Sequence, residues 1–251
     1  MERFAIAAAQ SKSVKGDIAA NVRHHIEIVD VAAAHQCDAI VFPELSLTGY
    51  ERSLAAELAI STDDQVLTPL QRAADRTGMT IVAGCPIRSD GSKPFLGAVI
   101  VRKNSAVVAY RKRFVTTSEK EFFEPSSDCV VVETHGEKMG AAICADISNS
   151  IHAADAKDHH ATIYAAGVMM IPEDIGRACD NMALYAKKHR MLAVMSNYAS
   201  ETGGYKSAGK SGVWNTDGHV IAQAPGSAEF LVIACRNESL WSGHVIEVPD
   251  S

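Results

Sequence analysis

Apolar and β-branched residues recur along the chain in short runs, and their spacing predicts an alternation of strands and helices. In the first half, five runs predict strands at residues 4–10, 38–44, 79–88, 95–103 and 106–114. Between the first two runs, apolar residues follow Asp17 at a spacing near 3.6, which predicts a capped amphipathic helix. A second helix is predicted over residues 63–76, before Gly78. This opening is typical of a layered α/β architecture.

The middle of the chain predicts antiparallel pairing. Tight turns at residues 103–105 and 135–137 each join two strand-like runs, as in β-hairpins. Mixed sheets with helices on their outer faces fit this pattern better than a doubly wound sheet or a barrel. After a short helical stretch that follows Cys144, the predicted elements are a strand at 161–166, a helix at 172–190, a strand at 191–198, a hairpin turned at 216–218 and a last strand at 230–235. Without a repeat or linker, residues 1–251 are predicted to form one domain.

Composition and charge exclude several classes of function. The 251 residues carry 24 Lys+Arg against 30 Asp+Glu, a formal net charge of -6, without long basic blocks. Such a chain offers no electrostatic footprint for nucleic acid or for an anionic membrane surface. The longest apolar stretch, residues 163–171, is shorter than the roughly 20 residues that span a bilayer, and the segment after Met1 does not resemble a secretory signal. We therefore expect a cytoplasmic protein with neither a membrane nor a nucleic-acid partner.

The cysteines indicate separate reduced thiols. All six are widely spaced, with no C-x-x-C pair and no Cys/His cluster at metal-ligand spacing. We therefore expect no disulfide framework, no metal and no cofactor. The methionines, among them Met169 and Met170, are predicted to fill the core and interfaces.

Three apolar strands are predicted to end in a reactive side chain, namely Glu44, Lys112 and Cys144. Active sites of α/β proteins usually lie where strands end, so we expect the three groups to converge at one sheet edge. A thiol is mostly protonated at neutral pH and needs a base, which a desolvated Glu44 carboxylate can supply. Lys112 and the backbone N–H of Ala145 would then stabilise the oxyanion of a tetrahedral intermediate. This set predicts acyl transfer from a C–N bond without a metal.

Sequence motifs around these residues support that prediction. The run FPELSLTGY at residues 42–50, YRK at 110–112, Glu119 ahead of FFEP, and ICAD at 143–146 follow one another in the order and spacing of the nitrilase superfamily. The chain resembles these carbon-nitrogen hydrolases over nearly its whole length, including a strand that ends at Asn197 and the segment Gly209-Lys210-Ser211.

The resemblance implies a fold and a mechanism. It implies a four-layer αββα sandwich of mixed sheets that pairs into a homodimer or a higher homo-oligomer. It also implies a triad of Glu44, Lys112 and Cys144, with Glu119 as a second active-site glutamate that orients the lysine and the substrate. In this superfamily the cysteine attacks an amide or nitrile carbon, ammonia or an amine leaves, and water hydrolyses the thioester.

Departures from the family pattern bear on the substrate. Cys144 is followed here by Ala145 and Asp146, which are small and unusual for the family. In true nitrilases the corresponding segment resembles Cys-Trp-Glu. We therefore predict an amidase that acts on a small linear carboxamide or carbamoyl compound, with a nitrilase as the alternative. The substrate contacts are predicted at Tyr50, Ala145, Asp146 and Tyr198, with the glycine-rich loop 200–212 nearby.

Three other interpretations remain open at this point. Gly204 to Ser211 satisfies the phosphate-loop pattern G-x-x-x-x-G-K-S, although the following residues predict a strand and not the helix that such a loop requires. A Cys-His protease would use one of the histidines after Cys144, which include His152, His159 and His160, but none has a distinctive spacing. A binding protein that keeps the fold without turnover is the third, although all three triad residues are present.

Overall fold

The computed structural model describes residues 3–249, and within this range the chain forms four α-helices and thirteen strands. The helices are α1 Ile18–Ala34, α2 Thr68–Thr77, α3 Ser150–Asp158 and α4 Ile175–His189. The strands are β1 Phe4–Gln10, β2 Ala39–Val41, β3 Thr80–Ile87, β4 Phe95–Val101, β5 Val108–Arg111, β6 Val131–Thr134, β7 Glu137–Ile143, β8 Ile163–Gly167, β9 Leu192–Ser196, β10 Gly212–Trp214, β11 Val220–Gln223, β12 Phe230–Asn237 and β13 Leu240–Glu247. The two ends of the predicted 1–251 domain, residues 1–2 and 250–251, lie outside the described residues.

The strands form two mixed sheets. The order of the seven-stranded sheet is β13-β12-β1-β2-β3-β4-β5, and the order of the six-stranded sheet is β11-β10-β9-β8-β7-β6. β1, β2 and β3 pair in parallel at the centre of the first sheet, as do β7, β8 and β9 in the second. The remaining pairs are antiparallel.

Three apolar clusters divide the molecule into four layers. The first cluster joins inward residues of both sheets, such as Ile6 of β1 and Val194 of β9. A second cluster packs the other face of β1 against α1 and α2, and a third packs β8 and β9 against α3 and α4. Because β1 is buried on both faces, its run of apolar residues does not alternate. The predicted αββα sandwich of mixed sheets is confirmed.

Local signals explain where the outer helices begin and end. The Asp17 side chain accepts a hydrogen bond from Ala20 N at 2.9 Å and caps α1, as the sequence predicts. Helix α2 starts later than predicted, because residues 65–67 form a 3-10 turn before it. It ends at Gly78, whose φ of 77° is left-handed.

One strand was missed by the sequence analysis. The prediction ended the chain's regular structure with a strand at 230–235, whereas β12 continues to Asn237 and turns into β13. β13 forms the edge of the seven-stranded sheet, and its residues alternate between exposed and half-buried. Because Ser242, Gly243 and His244 lie in its middle, the strand has no apolar run that the sequence analysis could detect.

In residues 3–249, none of the helices combines the length and apolar character that crossing a membrane requires.

Candidate active site

Glu44, Lys112 and Cys144 each follow the end of a strand, and the structure brings the three together. Glu44 lies three residues after β2, Lys112 directly after β5 and Cys144 directly after β7. β2 and β5 belong to the seven-stranded sheet and β7 to the six-stranded sheet. The expectation of a single sheet edge is therefore wrong, because the base and the lysine come from one sheet and the thiol from the other.

Close backbone packing positions Glu44. A Cβ atom added to Gly84 would lie 2.5 Å from the Pro43 carbonyl oxygen, and one added to Gly167 would lie 2.5 Å from that of Phe42. Only glycine lets β3 and β8 approach this segment so closely from the two sheets. The Tyr198 hydroxyl then donates a hydrogen bond of 2.7 Å to the Glu44 carbonyl oxygen. Glu44 is thus held through its main chain, which leaves the carboxylate for other partners.

A buried charged cluster surrounds the lysine. Lys112 Nζ donates hydrogen bonds of 2.7 Å to Glu44 Oε1 and 2.7 Å to Glu119 Oε1, and all three side chains are fully buried. Glu119 also accepts from the Tyr50 hydroxyl at 2.9 Å and from Thr116 N at 2.8 Å. Two carboxylates around one ammonium leave the cluster formally negative when both are ionised.

The pKa directions in the cluster separate the two glutamates. Burial raises the pKa of Glu44 to about 7, although the Lys112 ammonium opposes this. Burial acts in the same direction on Glu119, but the charge and hydrogen bond of Lys112, with the Thr116 and Tyr50 donors, bring its pKa below the ordinary value. Burial would lower the pKa of Lys112, but the surrounding negative groups, Glu44 first, raise it. Lys112 is therefore cationic, Glu119 is ionised and Glu44 can exchange a proton near neutral pH.

The Cys144 thiol is neutral, and the Glu44 carboxylate lies beside it. Burial raises the pKa of Cys144 well above the ordinary value, and the negative charge of Glu44 raises it further. Cys144 Sγ contacts the Met169 carbonyl oxygen at 3.7 Å. Among the described residues, Glu44 Oε2 is buried and makes no hydrogen bond of ordinary geometry, although the Cys144 thiol is close enough to lower the pKa of Glu44. A buried carboxylate oxygen with unused capacity next to a neutral thiol can accept its proton.

The turn that carries Cys144 is strained. Cys144 has a φ of 43° and begins a 3-10 helix that runs to Ser148. A left-handed conformation costs a non-glycine residue on the order of 1–2 kcal/mol, and the surrounding structure must impose it. The Asp146 carboxylate supplies part of that constraint, because it accepts hydrogen bonds from Ile143 N at 2.9 Å and Phe114 N at 3.0 Å. Asp146 thus ties the thiol's turn to the segment that follows Lys112.

Behind this turn lies a second buried network. The Tyr110 hydroxyl donates to Asp146 Oδ2 at 2.6 Å and lies 2.8 Å from His152 Nε2. His152 Nδ1 lies 2.9 Å from the Tyr164 hydroxyl, and burial lowers the pKa of His152. The histidine is therefore neutral and satisfied by tyrosines, with no hydrogen bond to Cys144, which argues against the Cys-His protease.

A cavity of about 260 Å³ opens onto the thiol. Cys144, Glu119, Tyr50 and Ala145 line it, together with Met169 and Met170. Two of the four residues predicted to contact substrate are thus on its wall. The other two, Asp146 and Tyr198, are fully buried outside it, because their polar atoms hold the Cys144 turn and the Glu44 backbone.

The sequence analysis missed several wall residues. Met169 and Met170 were predicted as core fillers, and although both are buried they also face the cavity. Arg52, Arg177 and Tyr205 also line it and were not singled out. Arg52 lies two residues after the FPELSLTGY motif of residues 42–50, and this proximity was the one sequence signal that could have identified it as a wall residue.

The segment with the phosphate-loop pattern has a structural role. Residues 212–214 after it form strand β10, not a helix, so helical N–H groups are absent where a phosphate would need them. Ser211 Oγ accepts from Asn197 N at 2.9 Å, and Ser211 N donates to Gln10 Oε1 at 3.0 Å. Gly209 O accepts from Asn197 Nδ2 at 2.8 Å. The segment joins β1, β9 and β10, and these contacts remove the basis for a nucleotide site.

Within residues 3–249, no group of three His, Cys, Asp or Glu side chains is arranged to hold a metal ion.

Comparisons with known proteins agree with this geometry. The model of the carbon-nitrogen hydrolase family matches residues 5–241. Among solved structures, the amidase from Nesterenkonia sp. AN1, described as a nitrilase-superfamily enzyme with an active-site cysteine, superposes with a TM-score of 0.83 at 18% identity, covering 92% of each chain. At that identity the likeness concerns the fold.

Curated relatives carry different names. A glutamine-dependent NAD(+) synthetase from Acinetobacter baylyi is 26% identical over 242 residues, covering 92% of this chain and 44% of the relative. A nitrilase from Pyrococcus abyssi is 27% identical over 213 residues, covering 83% of this chain and 80% of the relative. This chain therefore spans less than half the length of the synthetase it matches.

Proposed function

The chain belongs to the carbon-nitrogen hydrolase family, and from that premise we propose that it hydrolyses a small linear carboxamide or carbamoyl compound through a thioester on Cys144. The observation that carries the proposal is the buried cluster in which Lys112 bridges Glu44 and Glu119 beside the thiol. Burying three charged side chains is costly, and buried charges with shifted pKa values are common at functional sites. Of the three, Glu119 lines the cavity together with Cys144, and Lys112 and Glu44 lie behind Glu119.

The first half of the reaction forms the thioester. Glu44 accepts the proton of the Cys144 thiol as the sulfur attacks the amide carbonyl carbon. Lys112 and the N–H of Ala145 stabilise the oxyanion that develops. Glu44 then returns the proton to the amide nitrogen, the C–N bond breaks and ammonia leaves, or an amine from a substituted amide.

The second half regenerates the thiol. Water enters in place of ammonia, Glu44 accepts one of its protons, and the hydroxyl oxygen attacks the thioester carbon. The C–S bond breaks, the carboxylic acid leaves and the sulfur regains its proton. Glu119, held ionised by Lys112, Tyr50 and Thr116, keeps the lysine cationic and oriented through both halves.

Ammonia release tests this function. The panel comprises short aliphatic amides, ω-amides including glutamine, N-carbamoyl amino acids and nitriles, each with unmodified protein and with Cys144→Ala. Cys179→Ala is the matched control, because that thiol is also partly buried and burial also raises its pKa. We expect release from amides that Cys144→Ala abolishes and Cys179→Ala retains. Undiminished release by Cys144→Ala would contradict the mechanism, and silence across the panel would contradict the function.

A nitrilase is the second candidate, supported by the relative from Pyrococcus abyssi. Attack on a nitrile carbon uses the same thiol and base, but the first intermediate is a thioimidate that needs water before ammonia leaves. The small Ala145 side chain on the cavity wall favours the amidase, and the nitriles in the panel decide between the two.

Assembly and location extend the proposal. We infer a homodimer or higher homo-oligomer, as the resemblance to the nitrilase superfamily implies; Ile151 of α3 and Leu184 of α4, which are 64% and 54% exposed on the outer helical layer, are candidate interface residues. Sedimentation velocity checks this, and a single species at 26.8 kDa would contradict it. The cytoplasmic location and the single domain over residues 1–251 stay predictions.

A further inference from the structure

Arg52 lies on the wall of the cavity that contains the Cys144 thiol. It begins a short 3-10 helix, residues 52–54, directly after the turn that brings Tyr50 to Glu119. The position of its side chain is therefore coupled to the active-site cluster through two intervening peptide bonds. No step of the proposed hydrolysis uses it.

Three aromatic rings hold the guanidinium in place. The Arg52 Cζ atom lies 5.4 Å from the ring centroid of Tyr50, 5.9 Å from that of Phe122 and 5.4 Å from that of Tyr205. One terminal nitrogen donates to the Tyr205 hydroxyl at 2.9 Å, and the other makes a long contact of 3.4 Å with the Ser118 carbonyl oxygen. Arginine loses much rotamer freedom when it is ordered, and here the rings have restricted it before a ligand arrives.

Arg52 forms no ion pair with a carboxylate of the described residues. Among residues 3–249, no carboxylate oxygen lies within 4.0 Å of this guanidinium. Arg177, the other arginine of the wall, is different, because it pairs with Asp174 at 2.8 Å and is 72% exposed. A guanidinium has five N–H donors, so Arg52 keeps donors free for a ligand.

We propose that Arg52 binds a carboxylate of the substrate and selects short amides that carry one at the end opposite the amide. A planar guanidinium with free donors matches a carboxylate in a bidentate pair. The cavity of about 260 Å³ limits the chain to a few carbons. The substrate class is therefore the half-amides of short dicarboxylic acids and their amino derivatives, and this inference rests on the proposed amide hydrolysis.

The test compares two amides of equal length. Succinamic acid and butyramide differ in that a carboxylate replaces the terminal methyl group. Arg52→Gln is the test variant, and Arg52→Lys retains the charge without the planar guanidinium. Arg76→Gln is the matched control, because that exposed arginine pairs with Asp30 and does not line the cavity. We expect Arg52→Gln to lower kcat/KM for succinamic acid by about tenfold or more, through KM, because a charge-assisted hydrogen bond is lost. Butyramide hydrolysis should be unchanged, Arg52→Lys should recover part of the loss, and Arg76→Gln should behave like unmodified protein.

Equal losses on both amides would overturn the inference, because Arg52 would then only support the cavity wall. Hydrolysis of neither amide by unmodified protein would instead contradict the proposed function. Binding measured by calorimetry to Cys144→Ala separates the two failures. The carboxylate site is supported, independently of turnover, if Cys144→Ala binds succinamic acid more tightly than butyramide. This preference should be lost in the double variant that also carries Arg52→Gln. Equal or undetectable binding of the two amides overturns it.

Discussion

Two buried polar networks flank Cys144, and they differ in what they leave unsatisfied. In front of the thiol, Lys112 joins two glutamates, and Glu44 Oε2 makes no hydrogen bond of ordinary geometry among the described residues. Behind it, the Asp146 carboxylate accepts four hydrogen bonds, from the backbone of residues 113, 114 and 143 and from Tyr110. Glu119 of the front network lines the cavity, whereas Asp146 does not.

The difference separates reactivity from architecture. A carboxylate whose lone pairs are all occupied stabilises the arrangement that occupies them. A carboxylate with a free oxygen and a raised pKa can instead take up a proton. Substitutions in the front network should therefore reduce turnover more than stability, and those in the rear network should reduce stability first.

The largest effect is expected for Glu44→Gln. The amide keeps the shape of the side chain but cannot accept the thiol proton, so kcat/KM should fall by about 10²–10⁴-fold. The free energy of unfolding, measured by urea denaturation, should change little, because a carboxylate that burial disfavours is replaced by a neutral group. Turnover close to that of unmodified protein would remove Glu44 from the mechanism.

The same carboxylate should control the pH dependence. Glu44 must be ionised to act as a base, and its pKa is raised to about 7. We expect kcat/KM for an amide to rise with pH through about 7 and to fall about tenfold per unit below it. An acid limb near the ordinary pKa of a glutamate would show that Glu44 is not the base.

In the rear network, Asp146→Ala should cost about 3 kcal/mol or more of the free energy of unfolding, because buried N–H donors lose their acceptor. Asp146→Asn, which keeps one acceptor oxygen, should cost less. Both are measured by urea denaturation beside Glu44→Gln. The comparison between the networks fails if Glu44→Gln destabilises the fold more than Asp146→Ala does.

The smallest effect concerns the strained turn. Cys144 has a φ of 43°, so Cys144→Gly should be more stable than Cys144→Ala by about 1 kcal/mol. Cys179, within α4, gives the matched control with the opposite sign, because glycine destabilises a helix interior by about 1 kcal/mol relative to alanine. An Ala variant more stable than the Gly variant at Cys144 would contradict the left-handed turn.

Much of the fold followed from periodicity. β1 is bounded as predicted, and the cap at Asp17 and the stop at Gly78 are confirmed, since all three depend on neighbouring residues alone. The edge strand β13 was missed, because half of its residues face outward and are polar. Local patterns also could not show that Cys144 lies on the other sheet from Glu44 and Lys112, since sheet membership depends on long-range pairing.

The site was predicted unevenly for a similar reason. The convergence of Glu44, Lys112, Glu119 and Cys144 followed from motif order and strand ends. Asp146 was predicted to contact substrate because it is close to Cys144 in sequence, yet its side chain turns back to bind Ile143 N. Arg52 is held by Tyr50, two residues before it, and by Phe122 and Tyr205, which are distant in sequence, and no spacing rule reports the last two contacts.

The central claim is that Glu44 makes Cys144 reactive. The most direct measurement is the rate at which methyl methanethiosulfonate modifies each cysteine at pH 7, followed by peptide mass spectrometry in unmodified protein and in Glu44→Gln. Cys129, Cys179 and Cys235, which are also partly exposed, serve as controls within each sample. The account predicts that Cys144 is modified fastest in unmodified protein and loses that advantage in Glu44→Gln. Modification of Cys144 no faster than the three controls, or at the same rate in both proteins, would contradict it.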